Sequence, residues 1–410
     1  MSTFIQIHTL TSHPASLLNR GEEGFAKTMP FGGATRTRIS SQCLKYNWRT
    51  YDGPGSIRTI DETTMSVRSR ETFYRLVAKP FIEEEFLPED DDHHPAEDEY
   101  DPPSEKYHPK VVYPVVRKLQ INVTDSTDSF DVEDSIQAGR NGNTDHLKLG
   151  QVVVFGPPEI TFMRSVVAEQ LAEITERTGD EGDDIADAIE AVLPDSYETD
   201  EIAEGVDAVA PAGLDAAMFG RMVTDEGSKS QVEAAIHVKH ALTVHPHQRE
   251  SDYFIAADKF QESGGGHLNS KSLTSGLYYT NVVVDYDGLV RNLSGRDDIA
   301  DELVRRLLEI IATVTPGAKK SSTAPYSHAE FVMVERGEKQ PRTLANAFRT
   351  PVNAEDDVSE AQRRLQKYLS GLDEMYDRPD ERYVGGVELL DPVPDAFGEQ
   401  LSLSKIQEQI

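Results

Sequence analysis

Alternating residue character marks the strands that this chain predicts. In residues 4–10, Ile5 and Ile7 share one face of an extended chain and polar side chains take the other, the pattern of a strand buried on one side. The same alternation predicts strands at residues 234–244, 276–285 and 330–335, with shorter strand-like segments at residues 111–116 and 151–155.

Apolar residues that recur every three or four positions predict the helices. The clearest example runs from Asp297 to Val314 and stops before Pro316, and its apolar positions are Ile299, Leu303, Leu307, Ile310 and Ile311. Helices are also predicted over residues 161–177, 184–193 and 358–375, and residues 62–78 form a further candidate.

Strands and helices are interleaved along the chain, but their connections are long and irregular. This order predicts an α+β fold built on a small sheet, with helices on one face and large insertions. No internal repeat recurs at a fixed period. The sequence contains none of the usual phosphate-loop, dinucleotide-binding or zinc motifs: G-x-x-x-x-G-K-[ST], G-x-G-x-x-G, C-x-x-C and H-E-x-x-H are all absent.

The composition is that of a polar protein large enough to bury a core. The 410 residues have a mean hydropathy of −0.50, and no apolar stretch approaches the length of a bilayer span. The first residues, MSTFIQIHTL, lack the pattern of a signal peptide. Cys43 is the single cysteine, which excludes an internal disulfide. We therefore expect a cytoplasmic protein with no membrane partner.

The negative charge of the chain is unevenly distributed. The formal net charge is −31, of which residues 81–110 carry −10 and residues 176–207 carry −12. The other 348 residues together carry only −9. Both acidic segments are typical of solvated loops or surface insertions.

The first 50 residues depart from this acidity. They contain six cations against two anions, a net charge of +4. A local positive patch on an acidic protein is most simply explained by a phosphate backbone that it binds.

A short amphipathic helix is predicted within this basic segment, in SSQCLKYNWRT. It begins at Ser40 or Ser41, either of which can cap it, and runs to about Thr50. Lys45 and Arg49 lie four residues apart and share one face, and two apolar residues share the adjacent face. The amide groups at its start, together with the hydroxyls and the amide of Gln42, would suit an anion.

The loop before this helix also suits a run of phosphates. Gly32 and Gly33 permit close backbone approach, and Phe31 offers an apolar face beside them. Arg36 and Arg38 alternate with threonines, so both guanidinium groups are expected to leave one side of an extended segment. On these residues alone, a solvated basic helix behind a turn is an equally good interpretation.

Seven motifs occur along the chain in the following order: FIQIHTL, LNR, FGGATRTRISSQCLK, GRM, GGGHLNS, PGAKKSS and LANAF. Taken in this order they resemble the backbone (large-copy, CasC-type) subunit of type I-E CRISPR Cascade complexes. The resemblance is dense over residues 1–50 and returns at about residues 205–350, where HVKHALTVHP and FVMV also take part. Residues 80–200 do not share it.

The resemblance implies a protein shaped like a right hand. A modified RRM-like (ferredoxin-like) palm is expected from residues 1–60 and 236–410, a helical fingers insertion from residues 61–204, and a thumb hairpin from residues 205–235. Several copies are expected to stack along one CRISPR RNA, and each thumb is expected to flip a nucleotide. The guide would then be divided into short segments that pair with a target DNA strand.

The resemblance also implies which residues contact the guide. Those that match its guide-backbone ligands are Lys27, Ser40, Gln42, Lys45 and Arg49. Met222, which follows Arg221 in GRM, matches the thumb residue that wedges against a base, and Lys319 with Lys320 matches a second basic stretch. Taken without the resemblance, Met222 is more typical of a core residue and the two lysines of plain surface. The full candidate set is Lys27, Phe31, Gly32, Gly33, Arg36, Arg38, Ser40, Ser41, Gln42, Lys45, Arg49, Arg221, Met222, Lys319 and Lys320.

The function that the resemblance implies is a structural subunit that binds nucleic acid, without nuclease activity of its own and without a cofactor. The expected partners are CRISPR RNA, target DNA paired to the guide, copies of the chain itself, other Cascade subunits, and a helicase-nuclease recruited through the complex. Two rival interpretations are a metal-dependent ribonuclease subunit of a type III-like effector and a scaffold that binds no nucleic acid. No motif supports the ribonuclease, and the basic segment argues against the scaffold.

Four histidines between residues 237 and 247 raise the question of a metal site. In a single strand, His237, His245 and His247 would share one face and His240 would point the other way, which is poor geometry for a shared ion. We therefore expect these histidines to be structural.

Overall fold

The computed structural model describes residues 3–82, 105–124, 126, 128–178, 184–194, 197, 208–221, 231–257, 265–318, 320–353, 357–378 and 380–410. These residues divide into two compact units. Unit 1 comprises residues 1–60, 235–291 and 295–410, and unit 2 comprises residues 61–234 and 292–294. The assignment of palm, fingers and thumb to particular residues stays a prediction.

Strands and helices alternate through the described residues. The strands are β1 Phe4–Ser16, β2 Thr28–Phe31, β3 Ala34–Ile39, β4 Val67–Ser69, β5 Val153–Phe155, β6 Ile236–Val238, β7 Ala241–Thr243, β8 Arg249–Ala257, β9 Gly265–Asp285, β10 Phe331–Gly337, β11 Glu381–Gly386 and β12 Glu399–Gln400. The α-helices are α1 Ser41–Arg49, α2 Pro109–Val123, α3 Val132–Arg140, α4 Pro157–Glu176, α5 Ile185–Val192, α6 Leu214–Phe219, α7 Tyr286–Asn292, α8 Asp297–Thr313, α9 Lys320–Thr323, α10 Asp357–Tyr376 and α11 Leu403–Gln407.

Unit 1 is built on a ten-stranded sheet, larger than the small sheet that the sequence predicts. Its order is β12-β11-β10-β1-β9-β7-β3-β2, and β6 and β8 also pair with β9. Except for the parallel pair β11 and β12, neighbouring strands are antiparallel. The long strand β9 pairs with β1, β6, β7 and β8, so it connects the two halves of the sheet.

Helices cover both faces of this sheet, whereas the sequence predicts one. Leu277 and Tyr279 of β9 belong to an apolar cluster that includes Leu365 of α10. The intervening Tyr278 lines a small cavity on the other face, together with Trp48 of α1. Because successive strand residues point to opposite faces, the sheet lies between two layers of helix.

The central strand β1 is buried on both faces, not on one. Residues 5–10 are all buried, including polar Gln6 and His8. A polar side chain that is fully buried needs partners, and Gln6 accepts a hydrogen bond from the Arg342 amide at 2.8 Å. The polar half of the alternating pattern is therefore an internal polar layer and not a solvent face.

Unit 2 consists mainly of α2, α3, α4 and α5 around one apolar core, beside the two-stranded sheet of β4 and β5. The predicted strand at residues 111–116 is wrong, because these residues lie in α2. Val112, Val115 and Val116 are fully buried there. A helix enclosed on most sides is apolar nearly all round, so it loses the polar face that would identify it.

Other predicted elements have mixed outcomes. The helices over residues 161–177, 184–193, 297–314 and 358–375 are confirmed, with ends shifted by a few residues. The candidate helix at residues 62–78 is wrong, because that stretch holds β4 and a short π-helix, Phe73–Ala78. No helix among the described residues is long and apolar enough to cross a membrane.

A buried ion cluster joins β10, β1 and β11 in unit 1. Glu335 is fully buried, and its carboxylate accepts hydrogen bonds from His8 at 3.0 Å, from Arg342 at 2.8 and 3.0 Å, and from Arg382 at 2.8 Å. Burial alone would raise the pKa of Glu335, but the hydrogen bonds and charges of His8 and Arg342 outweigh it and hold the pKa well below its ordinary value.

Glu335→Gln should lower the free energy of unfolding at neutral pH by about 1.5–3 kcal/mol, because Arg342 and Arg382 lose charged hydrogen bonds to a fully buried carboxylate, although Arg382 keeps its bonds to Asp373. The folded-state pKa of Glu335 is depressed, so its contribution is complete above the unfolded value of about 4.3 and is lost as the pH falls below it. Urea unfolding at pH 7 and at about pH 2.5 measures both effects. Wild type should weaken on acidification more than the variant. The exposed Glu338→Gln is the matched control, and equal losses for the two variants would contradict the expectation.

Candidate nucleic-acid interface

Helix α1 forms as its sequence predicts. Ser40 is the N-cap, and its side chain accepts a hydrogen bond from the Cys43 amide. Leu44 and Trp48 are buried, at 4% and 1% exposure, and fix the inner face of the helix. Lys45 and Arg49 are half-exposed on the adjacent face. The predicted helix and its packing face are confirmed.

The start of α1 is less open to an anion than its sequence predicts. The Ser41 amide donates to Nδ1 of His240 at 2.7 Å, and the Cys43 amide donates to the Ser40 hydroxyl at 3.3 Å. Ser40 itself is buried, and its amide donates to the Asn19 side chain. Two of the first three helical amides are therefore used within the protein, and Ser40 acts as a structural cap. Ser41 is half-exposed and Gln42 exposed.

Three cations converge around His240 at this end of the helix. Burial lowers the pKa of the His240 imidazole, and the positive charges of Arg38, Lys239 and Lys27 lower it further. The neutral ring keeps Nδ1 available to accept the hydrogen bond from Ser41. Burial also raises the pKa of the Cys43 thiol, and the charge of Lys27 acts against that effect. Lys27, Arg38 and Lys239 thus form a positive cluster beside the start of α1.

Lys239 belongs to this cluster although the sequence does not single it out. It lies in HVKHALTVHP, where alternation predicts one continuous strand over residues 234–244. The structure instead contains β6 and β7, separated by Lys239 and His240. The interruption places His240 against α1 and leaves Lys239 exposed. The lysine of the HVKH motif is the sequence feature that could have identified Lys239 as part of the basic surface.

Arg36 is a correction to the predicted interface. It is fully buried, and its guanidinium donates to three backbone carbonyls: Thr243 at 2.9 Å, Phe348 at 2.8 Å and Phe31 at 3.3 Å. Arg38, two residues later on the same strand face, is half-exposed. Alternation correctly predicts that both arginines lie on the same face of the strand. At Arg36 that face is covered by residues from other parts of unit 1, including Thr243 and Phe348.

The glycine pair has two different roles. Gly32 has a φ of +61°, and an added Cβ would lie 1.6 Å from the Arg349 carbonyl oxygen. The close approach predicted for a ligand is therefore made to the protein's own backbone. Gly33 has a φ of +80°, and nothing lies within 4 Å of an added Cβ, so its requirement is conformational. Phe31 is half-buried beneath the guanidinium of Arg36, 5.7 Å from the ring centroid.

Four predicted residues lie outside this segment of the chain: Arg221, Met222, Lys319 and Lys320. Arg221 belongs to unit 2 and is buried, with hydrogen bonds to both Glu159 carboxylate oxygens at 2.7 and 2.8 Å. Arg221 therefore has a structural ion pair here, and its contact with RNA stays a prediction. Met222 and Lys319 lie outside the described residues. Lys320 begins α9 in unit 1 and is exposed.

His240, His245 and His247 have structural hydrogen bonds. His240 accepts from Ser41, as given above. His245 accepts from the Leu277 amide at 3.1 Å, and His247 bonds the Thr37 hydroxyl at 2.7 Å. Within the part of the chain that the structure describes, no group of three or more histidine, cysteine or acidic side chains is arranged to hold a metal ion.

The sequence matches the CT1975-like protein family (Cas_CT1975) over residues 5–406. The chain belongs to this family. A search of curated proteins gives no match. Two solved structures share the fold of this CT1975-like chain. One is a chain of a "CRISPR RNA-guided surveillance complex, pre-nicking", with a TM-score of 0.73, 22% identity and 99% of each chain covered. The other is a chain of a "CRISPR RNA-guided surveillance complex", with a TM-score of 0.64, 19% identity and coverage of 99% of this chain and 100% of that one.

These comparisons confirm the predicted fold class. The CT1975-like chain is a mixed α+β protein with a large sheet and several helices, consistent with an RRM-like palm that carries insertions. At identities of 22% and 19%, the likeness to the two solved structures is a likeness of fold.

Arg36→Ala should destabilise this CT1975-like chain by about 3 kcal/mol or more, because the buried carbonyl oxygens of Thr243 and Phe348 lose a charged donor and each such bond is worth about 1.5–3 kcal/mol. The free energy of unfolding in urea measures the loss. The matched control is Arg38→Ala, on the same strand face but half-exposed, which should change it far less. Equal stabilities of the two variants would show that Arg36 is not structural.

Proposed function

We propose that this chain is the CRISPR RNA-binding backbone subunit of a type I-E Cascade surveillance complex. Copies of it assemble along one guide RNA, hold the sugar-phosphate chain, and present the bases for pairing with target DNA in antiviral defence. Membership of the CT1975-like family and the shared fold with chains of two RNA-guided surveillance complexes support this proposal. The complex acts in the cytoplasm, together with other Cascade subunits.

The observation that carries the proposal is the positive cluster of Lys27, Arg38 and Lys239. It lies in a protein with a formal net charge of −31, beside a helix whose outer face continues with Lys45 and Arg49. Five cations on neighbouring elements suit a run of phosphates better than a single small anion.

Such a surface suits a protein that leaves sequence recognition to base pairing. Lysine and arginine side chains, hydroxyls and amide groups bind phosphate and ribose without reading base edges. The bases then stay available to a complementary strand, and specificity belongs to the guide. We further propose that the chain has no nuclease activity, that a recruited helicase-nuclease cuts the target, and that Met222 contributes the wedge against a base.

Lys239→Ala should weaken binding of single-stranded RNA about equally for oligonucleotides of different sequence. Loss of one phosphate contact should also reduce the slope of log affinity against log salt by about 0.7. Fluorescence anisotropy from 50 to 300 mM salt measures both quantities. Lys367→Ala, an exposed lysine on α10, is the matched control and should change neither. A loss confined to one sequence would contradict the proposal.

Co-expression with a CRISPR array tests the function directly. The purified chain should carry RNA, with an absorbance ratio at 260 and 280 nm above that of protein alone, and a map of the assembled particle should place residues 25–49 against the guide. A protein-only ratio at low salt would favour a scaffold that binds no nucleic acid. Cleavage of target RNA by the purified chain with Mg²⁺ would favour the type III-like ribonuclease.

A further inference from the structure

We propose that the exposed ring of Phe25, held beneath the guanidinium of Arg249, is a stacking platform for one unpaired base of the bound single strand. This inference rests on the proposed function, and it adds an aromatic contact to a site otherwise formed by cations. Neither residue belongs to the positive cluster or to the set predicted from sequence.

Phe25 lies on a tightly bonded loop, residues 20–27. Arg20 pairs with Ala26 in an antiparallel bridge, the Gly21 amide donates to the Phe25 carbonyl at 2.7 Å, and the Gly24 amide donates to the Gly21 carbonyl at 3.1 Å. Gly24 has a φ of +87°, a conformation that favours glycine. The loop therefore holds its aromatic residue in a defined position at the surface.

The ring remains accessible although a cation already covers part of it. The guanidinium carbon of Arg249 lies 4.4 Å from the Phe25 ring centroid, and Phe25 is still 42% exposed. Unit 1 uses the same pairing in its interior, where Arg36 covers Phe31 and the guanidinium is fully buried. The Phe25 pair differs because Arg249 is exposed, so the stack faces solvent.

Two further cationic side chains, Lys27 and Arg20, pack against the glycines of the loop that carries Phe25. Cγ of Lys27 lies 3.8 Å from the position that a Cβ would take at Gly21. Nε of Arg20 lies 3.8 Å from the corresponding position at Gly24. Lys27 also belongs to the positive cluster, so the loop connects that cluster to the ring. Glu22 and Glu23 occupy the turn and are exposed, which disfavours a phosphate over the tip and favours one beside Lys27.

A nucleobase fits this arrangement better than a phosphate or a sugar. Every base has a flat face that stacks on an aromatic ring whatever its identity, and an arginine guanidinium adds a cation–π contribution. A platform of this kind binds a strand without recognising the identity of its bases, as a guide-binding subunit must. It also holds one base away from a complementary strand while that base is stacked.

The test compares Phe25 variants of the full chain in binding a fluorescein-labelled 12-nucleotide oligouridylate. Phe25→Ala should weaken binding by about 5- to 100-fold. The salt slope should not change, because no cation is removed. Phe25→Trp should retain the affinity, and Phe25→Leu, which is apolar but not aromatic, should lose it. Tyr376→Ala, an exposed aromatic at the end of α10, is the matched control and should bind as wild type does.

A second measurement reads the stack itself. An oligonucleotide with a single 2-aminopurine, moved along the strand, should show fluorescence quenching at one position in the wild-type complex and its relief in Phe25→Ala. Unchanged affinity and unchanged quenching in Phe25→Ala, with RNA still bound, would overturn the platform alone. Equal affinity of Phe25→Leu and wild type would assign the ring to an apolar contact and overturn stacking. Failure of the wild-type chain to bind RNA would overturn the proposed function, and the platform with it.

Discussion

The buried guanidinium of Arg36 is the interaction on which the basic surface of unit 1 depends. It donates to carbonyls of Phe31, Thr243 and Phe348, so one side chain connects the β2–β3 hairpin to the end of β7 and to the short 3₁₀ helix Ala345–Phe348. Gly32 reinforces the same junction, because its lack of a side chain admits the Arg349 carbonyl. Strand β3 leads directly into α1, so the position of α1 and of its cations follows from this junction.

Electrostatic interactions are short-ranged in salt, so the net negative charge of the chain has little effect at the positive cluster. At physiological ionic strength the Debye length is about 8 Å, so a phosphate in contact with Lys27 or Lys239 responds mainly to neighbouring groups. Two acidic segments carry −22 of the net charge of −31, and the remainder of the chain is far less negative. Net charge is therefore a poor guide to what this surface binds, and the distribution of charge is a better one.

The sequence was informative where local physical chemistry decides the outcome. The N-cap Ser40, the apolar pair Leu44 and Trp48, and the C-cap Thr50 of helix α1 all lie within eleven consecutive residues. The helix forms as predicted. Alternation also predicted that Arg36 and Arg38 share a side. It could not predict that Arg36 is buried while Arg38 is half-exposed. Two of the three carbonyls that bind the Arg36 guanidinium belong to residues more than 200 positions away in the chain.

The errors have the same physical origin. Residues 111–116 contain a run of buried valines that suits a strand locally, and only the surrounding helices of unit 2 make it helical. The sequence pattern did not indicate that Lys239 lies between two strands. The break between β6 and β7 is only two residues long, which is too short to interrupt the alternation. The polar residues of β1 were expected to face solvent, and their partners Glu335 and Arg342 come from the far end of the chain.

The junction around Gly32 also affects how genetic data on this protein should be interpreted. Under the proposed function, a mutational scan that scores only retained RNA would report Gly32 and Arg36 among its strongest positions, together with the residues that contact RNA. Both would score through a misplaced hairpin and not through a lost contact with the strand. Assigning ligands in this segment therefore requires a folding measurement alongside every loss of nucleic acid.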